Sequence, residues 1–374
     1  MRWARTALAW VVVGAGLSVP GTVAAQAPLE LAEAPGRPVF GAAIDSARDA
    51  VVARMEEAHI PGASVAVGVD GELVWAEGFG WSDLENRVPV DPASRFRIAS
   101  ISKALTAAAV AQLHEEGRLE LDAPVQDHVP EFPEKRGVVT TRLLGGHLAG
   151  IRHYRGEEFL NRAPYADVIE ALDIFAADTL VFEPGSDYSY STYGWNLVSA
   201  VVARADGRPF LASMRSRVLE PLRMHETVAE HADSIIPGRA RPYVEANDGV
   251  LLNAPWVDNS NKWAGGGYLS TARDLVTYGQ AWLDPDFLEP ATVEEFWRPQ
   301  RTTDGELQGY AIGWRSAEEE GRRQIWHTGG AVGGTTILLI WPDDGVVVSI
   351  LTNLQGAGQV ETSRAVARYF AGAR

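Results

Sequence analysis

Strand-like segments lie near both ends of this chain, and the long stretch between them reads as helix and loop. Ala63 to Val69 and Glu72 to Gly80 carry strand patterns around an Asp70-Gly71 turn. Far along the chain, Tyr310 to Trp314, Gln324 to Thr328, Thr335 to Trp341 and Val346 to Thr352 do the same, with Asp343-Asp344-Gly345 as a hairpin signal between the last two. Helical spacing of apolar residues runs over 41–59 until Pro61-Gly62, and again over Ser100–Gly117, Tyr165–Ala176, Asn196–Ala205 and Val360–Gly372, while the stretch Tyr268–Leu283 opens with Ser270 and Thr271 as candidate caps and then reads helical. Strands separated so widely must meet in space to satisfy their backbones. The economical solution is one antiparallel sheet built from both ends of the chain, flanked by helices, with a mainly helical region inserted. The expectation is therefore an α/β fold of the α+β type. Its sheet part comes from about 41–95 and 265–374, and its helical part from about 96–264.

A chain of 374 residues with 46% hydrophobic content can bury a large core. Residues 1–25 read as a signal peptide: Arg2 and Arg5, an apolar stretch from Ala7 to Leu17, then small residues that allow cleavage after Ala25 or Ala27. The stretch is too short for a membrane span and is broken by Gly14, Gly16, Pro20 and Gly21, so no stable membrane anchor is expected after cleavage. A periplasmic or extracellular protein is the expectation, with residues 26–40 as a mobile lead-in. The chain has no cysteine, so disulfides, thiol catalysis and cysteine-based metal sites are excluded. Removing residues 1–25 takes away two arginines and no acids, leaving 31 bases against 49 acids and a net charge of −18. That argues against nucleic acid as a partner.

Within the helical signal at 100–117 stands Ser100-Ile101-Ser102-Lys103. Residues three apart share a helix face. A serine hydroxyl needs a neighbouring base to act as a nucleophile, and a buried lysine amine can supply one. Ala99, Ala104 and Ala107 suit such burial. On their own the four residues also fit an N-cap serine followed by a solvated lysine.

Three other segments carry candidate chemistry. Pro184-Gly185 leads into Tyr188-Ser189-Tyr190-Ser191-Thr192-Tyr193, where a tyrosine with a cationic neighbour can shuttle a proton, or aromatic packing alone is at work. Trp326-His327-Thr328-Gly329-Gly330 follows a strand-like run; His327 can add positive charge or move a proton, and the segment also fits a glycine-rich hairpin with a packing histidine. His147 and His153, in the stretch from Leu143 to Tyr154, match no metal spacing and read as part of a structural loop and helix end.

In this order, S-x-x-K, then Y-S-T after Pro-Gly, then H-T-G on a late strand, the motifs resemble those of the serine β-lactamase and penicillin-binding family. The likeness is to the branch of class C β-lactamases, D-Ala-D-Ala carboxypeptidases, related esterases and mitochondrial β-lactamase-like serine proteases. It spans roughly residues 44–370 and includes Ile60 to Val67, Leu143 to Tyr154 and Gly265 to Leu275.

The resemblance implies a β-lactamase/transpeptidase-like fold for 41–374 and a serine hydrolase acting through an acyl-enzyme on amide, ester or lactam carbonyls; a true β-lactamase is the alternative, and a penicillin-binding or scaffold protein with little turnover the second. Ser100 is then the nucleophile, Lys103 its base and Tyr190 the shuttle, with His327 also in the catalytic set. The backbone N–H groups of Ser100 and Gly330 form the oxyanion hole, and Thr192, Thr328 and Gly329 bind substrate. No metal or other cofactor is implied. The partner is a small acyl or peptide substrate, such as a peptidoglycan-derived compound or a β-lactam. Two positions depart from the family: Thr192 stands where many members have Asn, and His327 where most β-lactamases have Lys. The second favours peptidase- or esterase-like chemistry over β-lactam hydrolysis.

Overall fold

Asp70 and Gly71 both take positive φ, at 51° and 83°, the geometry of a two-residue hairpin turn whose twist matches its strands. They join β1 (Gly62–Val69) to β2 (Glu72–Asp83). The computed structural model describes residues 38–373 apart from 248 and 320, so the expected signal peptide and most of the lead-in lie outside the described residues. The last lead-in residues form a short 3-10 turn, Pro38–Phe40, with Phe40 buried against Phe370 at a ring separation of 5.6 Å.

Short strands follow: β3 (Val88–Pro89), β4 (Phe96–Arg97), β5 (Val228–Ala229), β6 (Tyr243–Glu245), β7 (Leu251–Asn253) and β8 (Tyr268–Ser270). The chain then returns with β9 (Arg315–Glu319), β10 (Arg322–Ala331), β11 (Gly334–Trp341) and β12 (Val346–Thr352). The main sheet runs in the order β3-β2-β1-β12-β11-β10-β9. Its centre is the antiparallel joint between the two chain ends, from Ala63 opposite Thr352 to Val69 opposite Val346. Every residue of β1 and of β12 is buried, as expected for strands covered on both faces.

Helices supply those covers. On one face α1 (Gly41–Glu57) and the last helix, α9 (Val360–Ala371), pack with Trp75, Ile350 and Phe370. The other face carries the larger core, reached through α2 (Ile101–Glu115), α3 (Thr141–Gly145), α4 (Thr192–Asp206), α5 (Phe210–Met214), α6 (Trp263–Gly266), α7 (Ala272–Ala281) and α8 (Pro290–Trp297). Helix α7 lies so close that a Cβ on Gly279 would sit 2.5 Å from Val347 Cγ1.

Two local expectations are corrected and a third is refined. Tyr165–Ala176 is not a regular helix but holds only a 3-10 turn, Glu170–Ile174, because Asp167 accepts from the backbone N–H groups of Ile169 and Glu170 and closes a turn instead. Of the two caps expected ahead of the helix in 268–283, Thr271 is the one used: its hydroxyl accepts from Asp274 N, and Tyr268–Ser270 before it forms the strand β8. Tyr310–Trp314 is not a strand. Gly313 turns there at φ 79°, which drops Trp314 into the core and brings Gly313 against α2.

That contact generates a test. A Cβ at position 313 would lie 2.8 Å from Ala107 Cβ and 3.1 Å from Lys103 O, on a backbone that L residues avoid. Gly313→Ala is expected to cost about 2–4 kcal/mol, read as a lower denaturant midpoint. An unchanged midpoint would contradict the packing described.

Candidate active site

Helix α2 is apolar almost all round, and every residue from Ile101 to Ala111 is buried. Its start is held from two sides: Ile98 N–H donates to Tyr268 O, and Thr336 Oγ1 donates to Ile98 O. Ala99 bridges these anchors to Ser100 at φ 49°, an uncommon value for a residue with a side chain. Ser100 is thereby presented at the helix start, half-buried, facing a pocket of about 280 Å³.

One turn on, Lys103 is fully buried. Its Nζ lies 3.0 Å from Ser100 Oγ, 3.2 Å from Thr192 Oγ1 and 2.7 Å from Gly265 O. Burial, reinforced by the charge of Lys262, pushes its pKa well below the ordinary 10.5. A neutral amine has two hydrogens and one lone pair. The Gly265 carbonyl only accepts, so it takes one hydrogen. Donating the other to Thr192 leaves the lone pair facing the Ser100 hydroxyl, the arrangement a general base requires.

Tyr190 sits beside this pair. It lines the same pocket as Ser100, and its ring lies 4.9 Å from Lys103 Nζ. The sequence reading invoked a cation to lower its pKa, but here burial wins and raises it, so the resting group is a phenol. Two histidines fix the loop that carries it. Ser191 N–H donates to His147 Nδ1 at 3.1 Å, and Thr192 N–H donates to His153 Nδ1 at 3.2 Å. Each ring accepts at Nδ1, so each is neutral with its proton on Nε2. Burial depresses both, His153 to about 4 and His147 well below its ordinary 6.5. The His147 ring also packs against Tyr190, tilted at 42° with the ring centres 4.2 Å apart. The structural loop expected around these histidines is thus the one that holds Tyr190 in place.

On β10 the expectations divide. Thr328 and Gly330 line the pocket. Gly329 faces the other way, with its Cα so close to Ile98 that a Cβ would lie 2.3 Å from Ile98 O. It lets the strand abut the segment ahead of Ser100 rather than touching substrate. His327 is buried, its Nδ1–H donates to Thr328 O at 2.7 Å, and its Nε2 accepts from Tyr310 O–H at 2.6 Å. Burial holds its pKa well below 6.5. The positive charge expected of His327 is therefore absent; the ring orients strand and tyrosine instead. Thr192 lines the pocket, with its hydroxyl shared between Lys103 and Tyr154.

Cationic character comes from residues the sequence reading did not select. Lys262 and Arg315 both line the pocket, and none of the described lining residues is acidic. Lys262 precedes the Trp263-Ala264-Gly265-Gly266-Gly267 run, and a lone lysine there carries no sequence mark. Among the described residues no group of three His, Cys, Asp or Glu could hold a metal ion. Among them, too, no helix is long and apolar enough to cross a membrane.

Comparison with known proteins follows the same lines. The profile of the Beta-lactamase family matches residues 47–373. The human mitochondrial protein called serine beta-lactamase-like protein LACTB is 36% identical over 440 aligned residues, which span 88% of this chain and 80% of the human one. A D-aminopeptidase from Gluconobacter oxydans is 26% identical, over 88% of this chain and 62% of its own. Among solved structures, the D-amino acid amidase from Ochrobactrum anthropi SV3, in complex with D-phenylalanine, superposes with a TM-score of 0.78 at 22% identity. That match covers 89% of this chain and 100% of the amidase, and at this identity it speaks to the fold.

The neutral histidines make the site acid-sensitive. His147, His153 and His327 all have native pKa values below the ordinary 6.5. Below that pH the unfolded chain takes up protons the native one refuses. Their stabilisation is complete above about pH 6.5 and declines as pH falls toward the native values, each ring adding a slope of up to about 1.4 kcal/mol per pH unit. Urea midpoints are expected to drop between pH 7 and pH 5. Midpoints that do not change over that range would contradict the assignment.

Proposed function

The chain belongs to the Beta-lactamase family, and from that premise we propose that it is an exported serine hydrolase acting through an acyl-enzyme on ester or amide carbonyls. The observation that carries the reading is the contact between Ser100 Oγ and the buried, proton-poor amine of Lys103. Export rests on the leader pattern of residues 1–25.

The steps follow from the geometry. Ser100 Oγ attacks the carbonyl carbon as its proton passes to Lys103 Nζ. Negative charge develops on the carbonyl oxygen, where the backbone N–H groups of Ser100 and Gly330 receive it. As the carbonyl re-forms and the leaving group departs, the proton from Lys103 reaches the leaving atom through the hydroxyl of Tyr190, which lines the same pocket as Ser100. Water then attacks the acyl-enzyme, gives its proton back along the same path, and frees the acid. Thr328 is placed to bind the substrate along the edge of β10.

The peptidase- or esterase-like reading is favoured over β-lactam hydrolysis by His327. That ring is neutral, with its two nitrogens engaged by Thr328 O and Tyr310 O–H, so it offers a β-lactam carboxylate no charge where most β-lactamases place a lysine.

Intact-mass spectrometry with a p-nitrophenyl ester and, separately, a penicillin tests the nucleophile. A transient acyl adduct is expected on the wild type and none on Ser100→Ala; an adduct that persists in the variant would refute the assignment. The lifetime of the adduct sorts a hydrolase from a slow penicillin binder. Tyr190→Phe is expected to lower kcat by about 10²–10⁴-fold while KM changes little, and undiminished kcat would remove Tyr190 from the proton path.

A further inference from the structure

Lys262 is the one lysine of the pocket wall that the mechanism above does not use. It stands on a 3-10 turn, Ser260–Lys262, that leads directly into α6, the helix whose Gly265 carbonyl holds Lys103. Only 5% of the residue is exposed. Yet among the described residues its ammonium has no hydrogen bond and no ion pair; it rests between two aromatic faces, 5.4 Å from the Tyr154 ring and 5.2 Å from the Phe159 ring.

The nearby carboxylates are already taken. Glu230 receives Arg97 through both oxygens at 2.9 Å and Asn259 Nδ2 at 2.7 Å. Asp258 accepts from both the backbone N–H and the hydroxyl of Ser260. A buried ammonium without a hydrogen-bonding partner is costly, and aromatic faces offset only part of that cost. The group is kept where it opens on the pocket, which Thr192, His153 and Tyr154 also line, in a wall whose described residues include no acid. This occurs in a chain carrying 49 acids against 33 bases. Low-dielectric walls of one sign concentrate ligands of the other.

We infer that Lys262 is the specificity-determining cation of this site and takes a carboxylate carried by the substrate, in place of the charge that His327 does not supply. The inference rests on the acyl-transfer reading of Ser100. A carboxylate reaching Lys262 from the pocket completes the hydrogen bonding of its ammonium. The ammonium remains mostly protonated at neutral pH, since burial and Arg97 push it down only to about 8. Substrates are thus esters or amides bearing an acidic group, and the corresponding neutral compounds are poor ones.

Matched probes test this. The p-nitrophenyl monoester of adipic acid carries the charge in the acyl arm, with p-nitrophenyl hexanoate as its neutral partner. The 3-carboxyphenyl ester of hexanoic acid carries it in the leaving group, with phenyl hexanoate as its partner. Wild type is expected to prefer at least one anionic compound over its partner. Lys262→Met is expected to lower that ratio of kcat/KM by about 10- to 100-fold, mainly through KM, and Lys262→Arg to restore part of it. A ratio unchanged in Lys262→Met, or an equal loss on both members of a pair, would overturn the inference. If no ester is turned over by the wild type, the hydrolase reading fails by itself. The role of Lys262 is then read by calorimetry in Ser100→Ala: monomethyl adipate is expected to bind more tightly than dimethyl adipate, and Lys262→Met to abolish the difference. Equal binding of the two compounds to Ser100→Ala would refute it.

Discussion

Everything in this site depends on an amine being buried where water cannot protonate it cheaply. Lys103 has no exposure, and its three polar contacts come from three different parts of the chain: Ser100 one turn before it, Thr192 at the start of α4, and Gly265 in α6. Bringing these together requires α2 to be apolar on every side, which is why its faces carry alanine and leucine rather than charge. It also requires close approach, and glycine provides it. A Cβ at Gly265 would sit 2.5 Å from Thr192 Cγ2. The sheet contributes from behind: Gly329 lets β10 reach Ile98, fixing the backbone just ahead of the nucleophile.

A second layer of the same physics surrounds the first. His147, His153 and His327 are all neutral, and each spends a ring nitrogen on orienting something else. Two hold the Tyr190 loop and the third ties Tyr310 to β10. Protonated imidazoles here would add charge beside Lys103 and destroy those acceptors. The site therefore separates its functions: neutral groups organise proton transfer, while the cationic charge lining the pocket stands at Lys262 and Arg315. Lys262 belongs to both schemes, since its charge also helps depress Lys103.

Much of this was legible before any coordinates. The periodicities of 62–80 and 324–352 gave the sheet strands, and the Asp70-Gly71 turn set the first hairpin, because those signals are local. Ser100 and Lys103 were legible because helical spacing alone places them together, and the order of motifs singled out Tyr190 from its neighbours. Illegible features were those decided by tertiary surroundings. Whether His327 carries charge depends on Tyr310 and on burial, neither of which a motif records. Gly329 looked like a substrate contact, but its neighbour Ile98 comes from more than two hundred residues away. Lys262 looked like any lysine; only the fold places its ammonium between Tyr154 and Phe159. Residues 165–176 had helical spacing, and the Asp167 side chain closed a turn there instead.

The central claim is that Lys103 is the unprotonated base of Ser100 at neutral pH, and the rate of acylation answers it most directly. Single-turnover acylation by a neutral activated ester, followed from pH 4 to pH 11 under conditions where the fold persists, reports the protonation of the base in the free protein. The account requires the rate to rise through a midpoint well below 10.5 and to level off once Lys103 has lost its proton. A rate that keeps climbing toward pH 10.5, as for an ordinary lysine, would contradict it.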